Sequence, residues 1–188
     1  MLAFQIGMAD DTHPAEQKRY RLLRPFTPLA EDAAQEEIAR RYLLHYGPAT
    51  LRDAAYFLHW TQAEIRKAFE RTGAVTADCA GRRFYSLPGA VPVEDIPPVV
   101  LLAGFDPLML GYRKEDNPFL PQEHLRGIFS LAGIVHPAIL LKGRVVGRWK
   151  EAKGKVELTP FEPLQPADQQ LIAGEAERLF TIRKMVWT

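Results

Sequence analysis

The densest group of basic side chains lies between residues 142 and 155. Six basic residues and one acidic residue give these 14 residues a net charge of +5: Lys142, Arg144, Arg148, Lys150, Lys153 and Lys155 against Glu151. Because side chains alternate between the faces of a strand, the pattern predicts Lys142, Arg144, Arg148 and Lys150 on one face, with Val145, Gly147 and Trp149 on the other. That face can bind a phosphate backbone, although lysines also protect plain strand edges from aggregation.

A second group of polar side chains precedes it, on a predicted helix and the loop that follows. The helix carries Gln62, Arg66, Lys67 and Arg71 on its polar face, and the loop carries Arg82 and Arg83. Such side chains can bond to phosphates or to base edges. The same face also fits a solvated surface on a protein-packing module, since residues 1–98 hold 12 basic and 13 acidic residues.

A third group surrounds the sequence Leu-Gly-Tyr-Arg at residues 110–113. Asp106, Glu115 and Asp116 flank this segment, and two carboxylates close together can serve as acid and base, but Asp106-Pro107 is also a common turn initiator. We favour the structural reading because no partner nucleophile or metal is visible. Tyr112 and Arg113 can stack on or clamp nucleic acid, or tie this loop to the barrel-like domain.

Metal and cofactor chemistry lack support in the sequence. The histidines show no close ligand spacing, and the single cysteine, Cys79, has no cysteine partner. No phosphate-binding glycine motif and no serine-hydrolase elbow occurs. We therefore expect no metal site and no cofactor.

The composition is that of a soluble globular protein. The chain has 188 residues, 47% of them hydrophobic and 25% charged, with a net charge of +1. The longest apolar segment is interrupted by prolines, a glycine and an aspartate, so we expect no membrane span. One cysteine and an N-terminus without a basic lead predict a cytoplasmic protein. The low net charge means that any nucleic-acid binding must depend on local patches.

Residues 31–87 follow a recognisable order of elements. Apolar residues at helical spacing begin after Glu31 and stop at Gly47-Pro48. Thr50 can cap a short helix over Leu51–Leu58, and Thr61 with Glu64 predicts a capping box before a helix over Gln62–Arg71. Two strand-like segments follow, Val75–Ala77 and Phe84–Leu87. This order is that of a winged helix-turn-helix, with a generic helical bundle plus hairpin as the alternative.

Residues 99–188 predict a smaller β-rich domain. Four apolar or alternating stretches, at 99–103, 138–141, 144–149 and 155–158, are separated by glycine-containing turns, and Lys142-Gly143 is typical of a tight hairpin turn. Gln122–Ser130 predicts a short helix. Pro166–Phe180 predicts a longer one, with Leu171, Ile172, Ala176, Leu179 and Phe180 on one stripe. We expect an α+β fold that ends in a barrel-like sheet closed by a helix.

Proline clusters divide the chain into three predicted segments. Residues 1–28 form a hairpin, which we interpret as the possible remnant of a missing upstream winged helix. Residues 29–98 form the winged helix-turn-helix, and residues 99–188 form the barrel-like domain with its C-terminal helix.

Three long segments resemble a known family. Residues 47–70 (GPATLRDAAYFLHWTQAEIRKAFE), 101–116 (LLAGFDPLMLGYRKED) and 133–150 (GIVHPAILLKGRVVGRWK) resemble, in order and spacing, the blocks of a bacterial winged-helix family. That family includes the AlkZ and YcaQ DNA glycosylases, which unhook interstrand crosslinks and excise bulky alkylated bases. The resemblance implies tandem winged helices and a β-barrel-like domain around a channel for duplex DNA.

The chain departs from this family at its catalytic motif. Family glycosylases position the attacking water with a Gln-x-Gln or Gln-x-Asp motif in their first winged helix, and neither motif occurs in this sequence. We therefore expect a protein that binds double-stranded DNA and lacks catalysis in this chain. The alternatives are a protein-interaction or regulatory module on the same scaffold, and an enzyme complete within these residues.

Overall fold

The computed structural model describes residues 4–6, 20–22, 27–89, 96–180 and 184–188. The chain forms two compact units, residues 1–34 and residues 35–188. Among the described residues, no helix combines the length and the apolar character that crossing a membrane requires.

The first unit contains a short antiparallel hairpin. Strand β1 (Phe4–Ile6) pairs with β2 (Tyr20–Leu22), with Phe4 opposite Leu22 and Ile6 opposite Tyr20. The predicted hairpin is therefore confirmed, whereas the polar stretch expected to connect its strands lies outside the described residues. Its interpretation as a remnant of a further winged helix stays a prediction.

Three helices follow, and the sequence predicted each of them. They are α1 (Glu31–Tyr46), α2 (Leu51–Leu58) and α3 (Gln62–Arg71). Capping boxes begin the second and third: Thr50 pairs with Asp53 and Thr61 with Glu64, each side chain accepting a hydrogen bond from the other residue's backbone N–H. These bonds satisfy N–H groups that have no partner within the helix.

A two-stranded hairpin completes this part of the chain. Strand β3 (Val75–Cys79) pairs antiparallel with β4 (Arg82–Ser86) across Ala80-Gly81, which have positive φ angles of 49° and 73°. Both angles suit a primed hairpin turn. The helices and this hairpin share one hydrophobic core, whose buried members include Tyr42, Leu43, Ile65, Phe69 and Tyr85.

The remaining strands form one five-stranded sheet. In spatial order they are β5 (Val99–Leu102), β6 (Ala138–Leu141), β7 (Arg144–Ala152), β8 (Lys155–Pro160) and β9 (Lys184–Trp187). All neighbours are antiparallel except β8 and β9. The predicted barrel is wrong: β9, which the sequence did not predict, adds beside β8 instead of closing the sheet against β5.

Different elements pack against the two faces of the sheet. On the face that we call the loop face, Leu102, Ala138 and Leu140 pack under the β5–β6 connection, which contains α4 (Pro107–Leu110) and α5 (Leu125–Ile128). Short 3₁₀ turns at Lys114–Asp116 and Gln122–His124 complete that connection. The opposite face, the helix face, packs against α6 (Pro166–Leu179). Ile172 and Ala176 of α6 are buried as predicted, whereas Leu171 and Leu179 are exposed.

A β-bulge changes the direction of the side chains along β7. Leu140 lies opposite Val145 and Ile139 lies opposite Gly147, so Val146 has no partner on β6. A Cβ atom at Gly147 would lie 2.6 Å from the backbone oxygen of Thr159, so this close approach needs glycine. The bulge adds one residue to the period-2 alternation and turns every later side chain to the other face.

Candidate functional site

The exposed face of α3 carries three of the predicted site residues. Gln62, Arg66 and Lys67 are exposed, and neither cation has an ion pair with any described residue. The nearby Glu64 is occupied by the helix cap, where its carboxylate accepts hydrogen bonds from the backbone N–H of Thr61 at 2.7 Å and from its hydroxyl at 2.6 Å. Those bonds lower the pKa of Glu64. Arg66 and Lys67 are therefore available to a ligand.

Arg71, at the end of the same helix, has a different environment. It is half-buried, and its Nη2 donates to the side-chain oxygen of Gln35 on α1 at 3.0 Å. This contact joins α3 to α1. Contact of Arg71 with DNA stays a prediction, but the structure gives this guanidinium a packing role.

The two arginines of the β3–β4 hairpin also differ. Arg82 is half-buried: its Nη1 donates to the backbone oxygen of Asp116 at 3.3 Å, and its Nη2 lies 3.6 Å from a carboxylate oxygen of Asp53. Arg83 is exposed and forms two hydrogen bonds with Asp78, at 2.9 and 3.1 Å. Both guanidinium groups therefore already have carboxylate neighbours.

Asp53 is a central residue that the sequence analysis did not single out. It is only 1% exposed, and its carboxylate accepts hydrogen bonds from Thr50 N at 3.0 Å, from the Thr50 hydroxyl at 2.6 Å and from Arg113 N at 3.1 Å. A buried carboxylate needs this many donors to offset its lost hydration. The spacing Thr50-x-x-Asp53 was the available signal, because it is that of a capping box.

The Leu-Gly-Tyr-Arg segment attaches the helices to the sheet. Tyr112 is 6% exposed and donates its hydroxyl to the backbone oxygen of Tyr46 at 3.0 Å, while Tyr42 donates to the oxygen of Gly111 at 2.9 Å. A Cβ at Gly111 would lie 2.1 Å from the ring of Tyr46. Burial, followed by the nearby charge of Asp53, raises the pKa of Tyr112 to about 12. The buried ring of Tyr112 is not open to a base.

The carboxylates around this segment have structural partners. Arg113 binds Asp116 through Nη1 at 3.1 Å and Glu115 through Nε at 3.2 Å. Asp106 caps α4 by accepting a hydrogen bond from Leu108 N at 2.9 Å. These contacts agree with the structural reading of Asp106, Glu115 and Asp116, and with Arg113 as a residue that holds the loop.

The cations of β7 and of the turn before it do not share one face, so that prediction is wrong. Arg144 lies opposite Leu141 and Arg148 opposite Ala138. Directly paired residues point to the same side, and residues three apart on β6 point to opposite sides. By register, the Cβ of Arg144 therefore belongs to the helix face and that of Arg148 to the loop face, while the Arg144 guanidinium reaches Glu123 in the β5–β6 connection. The cause is the bulge at Val146, which a count of alternating residues cannot show.

The first two cations of the basic segment have acidic partners. Lys142 Nζ donates to Asp168 Oδ1 at 2.7 Å, and Arg144 Nη2 lies 3.7 Å from Glu123 Oε1. Lys142 and Gly143 form the tight turn that the sequence predicted, with positive φ angles of 49° and 80°.

Beyond the bulge, the exposed part of the loop face is basic. Cross-strand register places Arg148 and Lys150 of β7, Lys155 of β8 and Lys184 of β9 on it, and we call these four residues the cationic face. Within the described part of the chain, Arg148 and Lys150 form no ion pair. Glu157 lies among them and is held by Lys155, whose hydrogen bond lowers the pKa of Glu157. Lys184 was missed because β9 was missed.

One cluster contains side chains of the kind that bind metals. Donor atoms of Glu123, His124 and Glu162 all lie within 4.8 Å of one another. His124 Nε2 and Glu162 Oε1 are 3.2 Å apart, and the imidazole stacks on Phe161 at 4.6 Å. Arg144 lies beside Glu123, so the two carboxylates already have cationic or polar neighbours.

Comparisons with known proteins agree on one family. The sequence profile described as "DNA glycosylase AlkZ-like" matches residues 4–182. The interstrand DNA cross-link repair glycosylase of Streptomyces sahachiroi is 29% identical over 157 residues, which cover 77% of this chain and 42% of that protein. The solved structure of Streptomyces sahachiroi DNA glycosylase AlkZ superposes with a TM-score of 0.70 at 26% identity, covering 87% of this chain and 47% of that one.

The chain thus spans less than half the length of either relative. The profile match nevertheless includes almost every residue of the chain, and it includes all three segments that carry the resemblance in sequence. The helices and mixed sheet agree with the solved relative's fold. The chain belongs to the AlkZ-like DNA glycosylase family.

Proposed function

We propose that this chain binds double-stranded DNA as part of the repair of alkylated or crosslinked bases. The observation that carries the proposal is the cationic face, where Arg148 and Lys150 are exposed and form no ion pair among the described residues, and where Glu157, the residue opposite Lys150, is bonded to Lys155. Unpaired cations on a regular surface bind phosphates by releasing counterions. Membership of a DNA glycosylase family makes DNA the ligand that best fits this chemistry.

A winged helix is the second part of the proposed interface. The order α1, α2, α3, β3, β4 matches that motif, and in it α3 is the recognition helix. Gln62, Arg66 and Lys67 on the exposed face of α3 would then reach base edges or phosphates. The hairpin β3–β4 would be the wing, and its exposed Arg83 would have to exchange Asp78 for a phosphate.

Several predicted contact residues have a different role in this proposal. Arg71, Arg82, Tyr112 and Arg113 are at least half-buried and bonded within the protein. They would position the binding surfaces relative to one another without contacting DNA. Lys142 and Arg144 would lie outside the interface, since both have acidic partners.

We assign binding, and not base hydrolysis, to these 188 residues. The sequence holds neither the Gln-x-Gln nor the Gln-x-Asp motif that the family resemblance associates with water activation. Incubating the purified chain with alkylated duplex, beside an active family member, tests this assignment. Release of the alkylated base by the chain alone would overturn it.

Titration of a labelled duplex at several salt concentrations tests the binding itself. We expect affinity to fall steeply with salt, and the double variant Arg148→Ala/Lys150→Ala to reduce the slope of log K against log salt by about 2. The matched control is Lys142→Ala/Arg144→Ala, which removes two cations of the same basic segment and should leave the slope unchanged. Absence of binding at low salt would contradict the proposal and favour a protein-interaction module.

A further inference from the structure

Phe105 has two properties that packing within the protein does not explain. Its side chain is 54% exposed, and its backbone has a positive φ of 57°. A left-handed conformation is an outlier for a bulky residue, and glycine would meet the same backbone requirement at no steric cost. Residues held in such conformations concentrate at functional sites.

The turn that carries Phe105 is held in place on both sides. Phe105 N donates to the backbone oxygen of Val135 at 3.1 Å, and a Cβ at Gly104 would already lie 3.3 Å from that oxygen. The next residue, Asp106, caps α4. The phenyl ring is therefore presented from a fixed backbone, which lowers the entropy lost when it binds a ligand.

The neighbouring loop extends the exposed apolar surface. Ser130 N bonds to the oxygen of Ile134 at 2.9 Å and closes a short hairpin that precedes Val135. Leu131, at its tip, is 87% exposed, and Ile134 is 46% exposed. Because Val135 also bonds to Phe105, the two loops lie side by side and expose apolar side chains together.

The strand register places this apolar surface near the cationic face. Leu102, Ala138 and Arg148 are direct partners across β5, β6 and β7. Neighbouring strands are about 4.8 Å apart, so Leu102 and Arg148 are separated by about 10 Å. Phe105 is three residues beyond Leu102, within about 10 Å of chain length. An apolar ring and the cationic face therefore lie at the same end of the sheet.

We propose that Phe105 stacks on a nucleobase of DNA whose phosphates are held by the cationic face. This rests on the proposed duplex binding. Apolar side chains inserted beside a base step separate the stacked bases, and an aromatic ring stacks on any base because every base has a π-face. The adjacent cations supply the phosphate contacts that such insertion requires.

Duplex titration with Phe105 variants tests the inference. We expect Phe105→Ala to weaken binding about 5- to 150-fold, the range given by losing one aromatic–base stack, with the salt slope unchanged because no charge is removed. Phe105→Trp should retain affinity. Leu179→Ala is the matched control, since Leu179 is also an exposed apolar residue but lies on α6, which covers the helix face.

A duplex containing 2-aminopurine reports base unstacking directly. Its fluorescence should change on binding of the wild-type chain and change much less with Phe105→Ala. Phe105→Gly separates binding from folding: it removes the ring and the left-handed strain together, so it should weaken binding without lowering the thermal midpoint.

The outcomes distinguish a failure of the duplex-binding proposal from a failure of the stacking proposal. If the wild-type chain does not bind duplex, both proposals fall. If it binds with a steep salt slope but Phe105→Ala and Phe105→Gly bind equally well, only the stacking role is overturned. A loss of self-association in sedimentation with unchanged DNA affinity would also overturn it, and would make a second copy of the chain the partner of this surface.

Discussion

Two groups of cations in this chain have opposite environments. Arg82 and Arg113 point inward to Asp53, Glu115 and Asp116 and join the helices to the β5–β6 connection. Arg148 and Lys150 point outward from the sheet, with no ion pair among the described residues. Both groups consist of basic side chains. Whether carboxylates lie nearby decides whether a side chain holds the structure together or is available to a ligand. We therefore assign the first group to holding the structure and the second to binding.

The largest expected effect tests the inward group. Asp53→Ala removes a buried carboxylate and leaves Thr50 N, Arg113 N and the Arg82 guanidinium without their acceptor. We expect the free energy of unfolding to fall by about 3 to 5 kcal/mol. Urea denaturation measures it. Asp78→Ala is the control, because its ion pair with Arg83 is exposed and its loss should leave the midpoint unchanged. A small decrease in the free energy of unfolding for Asp53→Ala would contradict the assignment of Arg82 and Arg113 to holding the structure.

The second prediction uses pH to probe the same junction. The pKa of Tyr112 is raised to about 12, so between pH 10 and 12 the folded protein retains a proton that the unfolded chain has lost. Tyr112 should therefore contribute a decrease in stability of about 2 to 3 kcal/mol as pH rises through this window, in addition to the decrease from Tyr42, whose pKa burial also raises. Comparing alkaline denaturation of the wild type and Tyr112→Phe checks it, since the variant should lose that part of the pH dependence. An identical pH profile would show that the hydroxyl is not buried as described.

The third prediction compares one residue from each group. Arg113→Ala should lower the free energy of unfolding by about 1 to 2 kcal/mol, because it breaks the contacts to Glu115 and Asp116. It should leave the salt slope of DNA binding unchanged. Arg148→Ala should do the reverse, reducing that slope by about 1 with unchanged stability. Thermal melting measures the stability of both variants, and duplex titration measures their salt slopes. A variant that changes both its stability and its salt slope would contradict the separation into two groups.

The smallest effect concerns cations that are exposed but paired. Lys142→Ala removes a surface ion pair with Asp168 and should cost less than about 1 kcal/mol. Its duplex affinity should match that of the wild type at every salt concentration. A clear loss of affinity would mean that Lys142 exchanges Asp168 for a phosphate, and the interface would then extend to the β6–β7 turn.

The helical part of the chain could be read from the sequence almost completely. The bounds of α1, α2 and α3 and both threonine caps follow from periodicity and from hydrogen-bonding side chains a few residues apart. The Lys142-Gly143 turn is local in the same sense. Strand β9 was missed, and the barrel was wrong because closure depends on where the last strand docks.

The candidate site was predictable only as a set of residue types. The sequence located the basic segment and the Leu-Gly-Tyr-Arg motif, but not which members face solvent. One bulge residue, Val146, reversed the faces of Arg148 and Lys150 relative to Arg144. Asp53, distant in sequence from both, contacts the guanidinium of Arg82 and the backbone N–H of Arg113.

The amino-acid sequence by itself determined the family, the helices with their caps, and the concentration of positive charge near residue 148. Those properties depend on composition and on interactions within a few residues. Only the tertiary structure decided which cations are available to a ligand. The hydrogen bond from the backbone N–H of Arg113 to Asp53 joins residues 60 positions apart along the chain. In β7, a single residue without a partner on β6 changes the side on which every later residue lies.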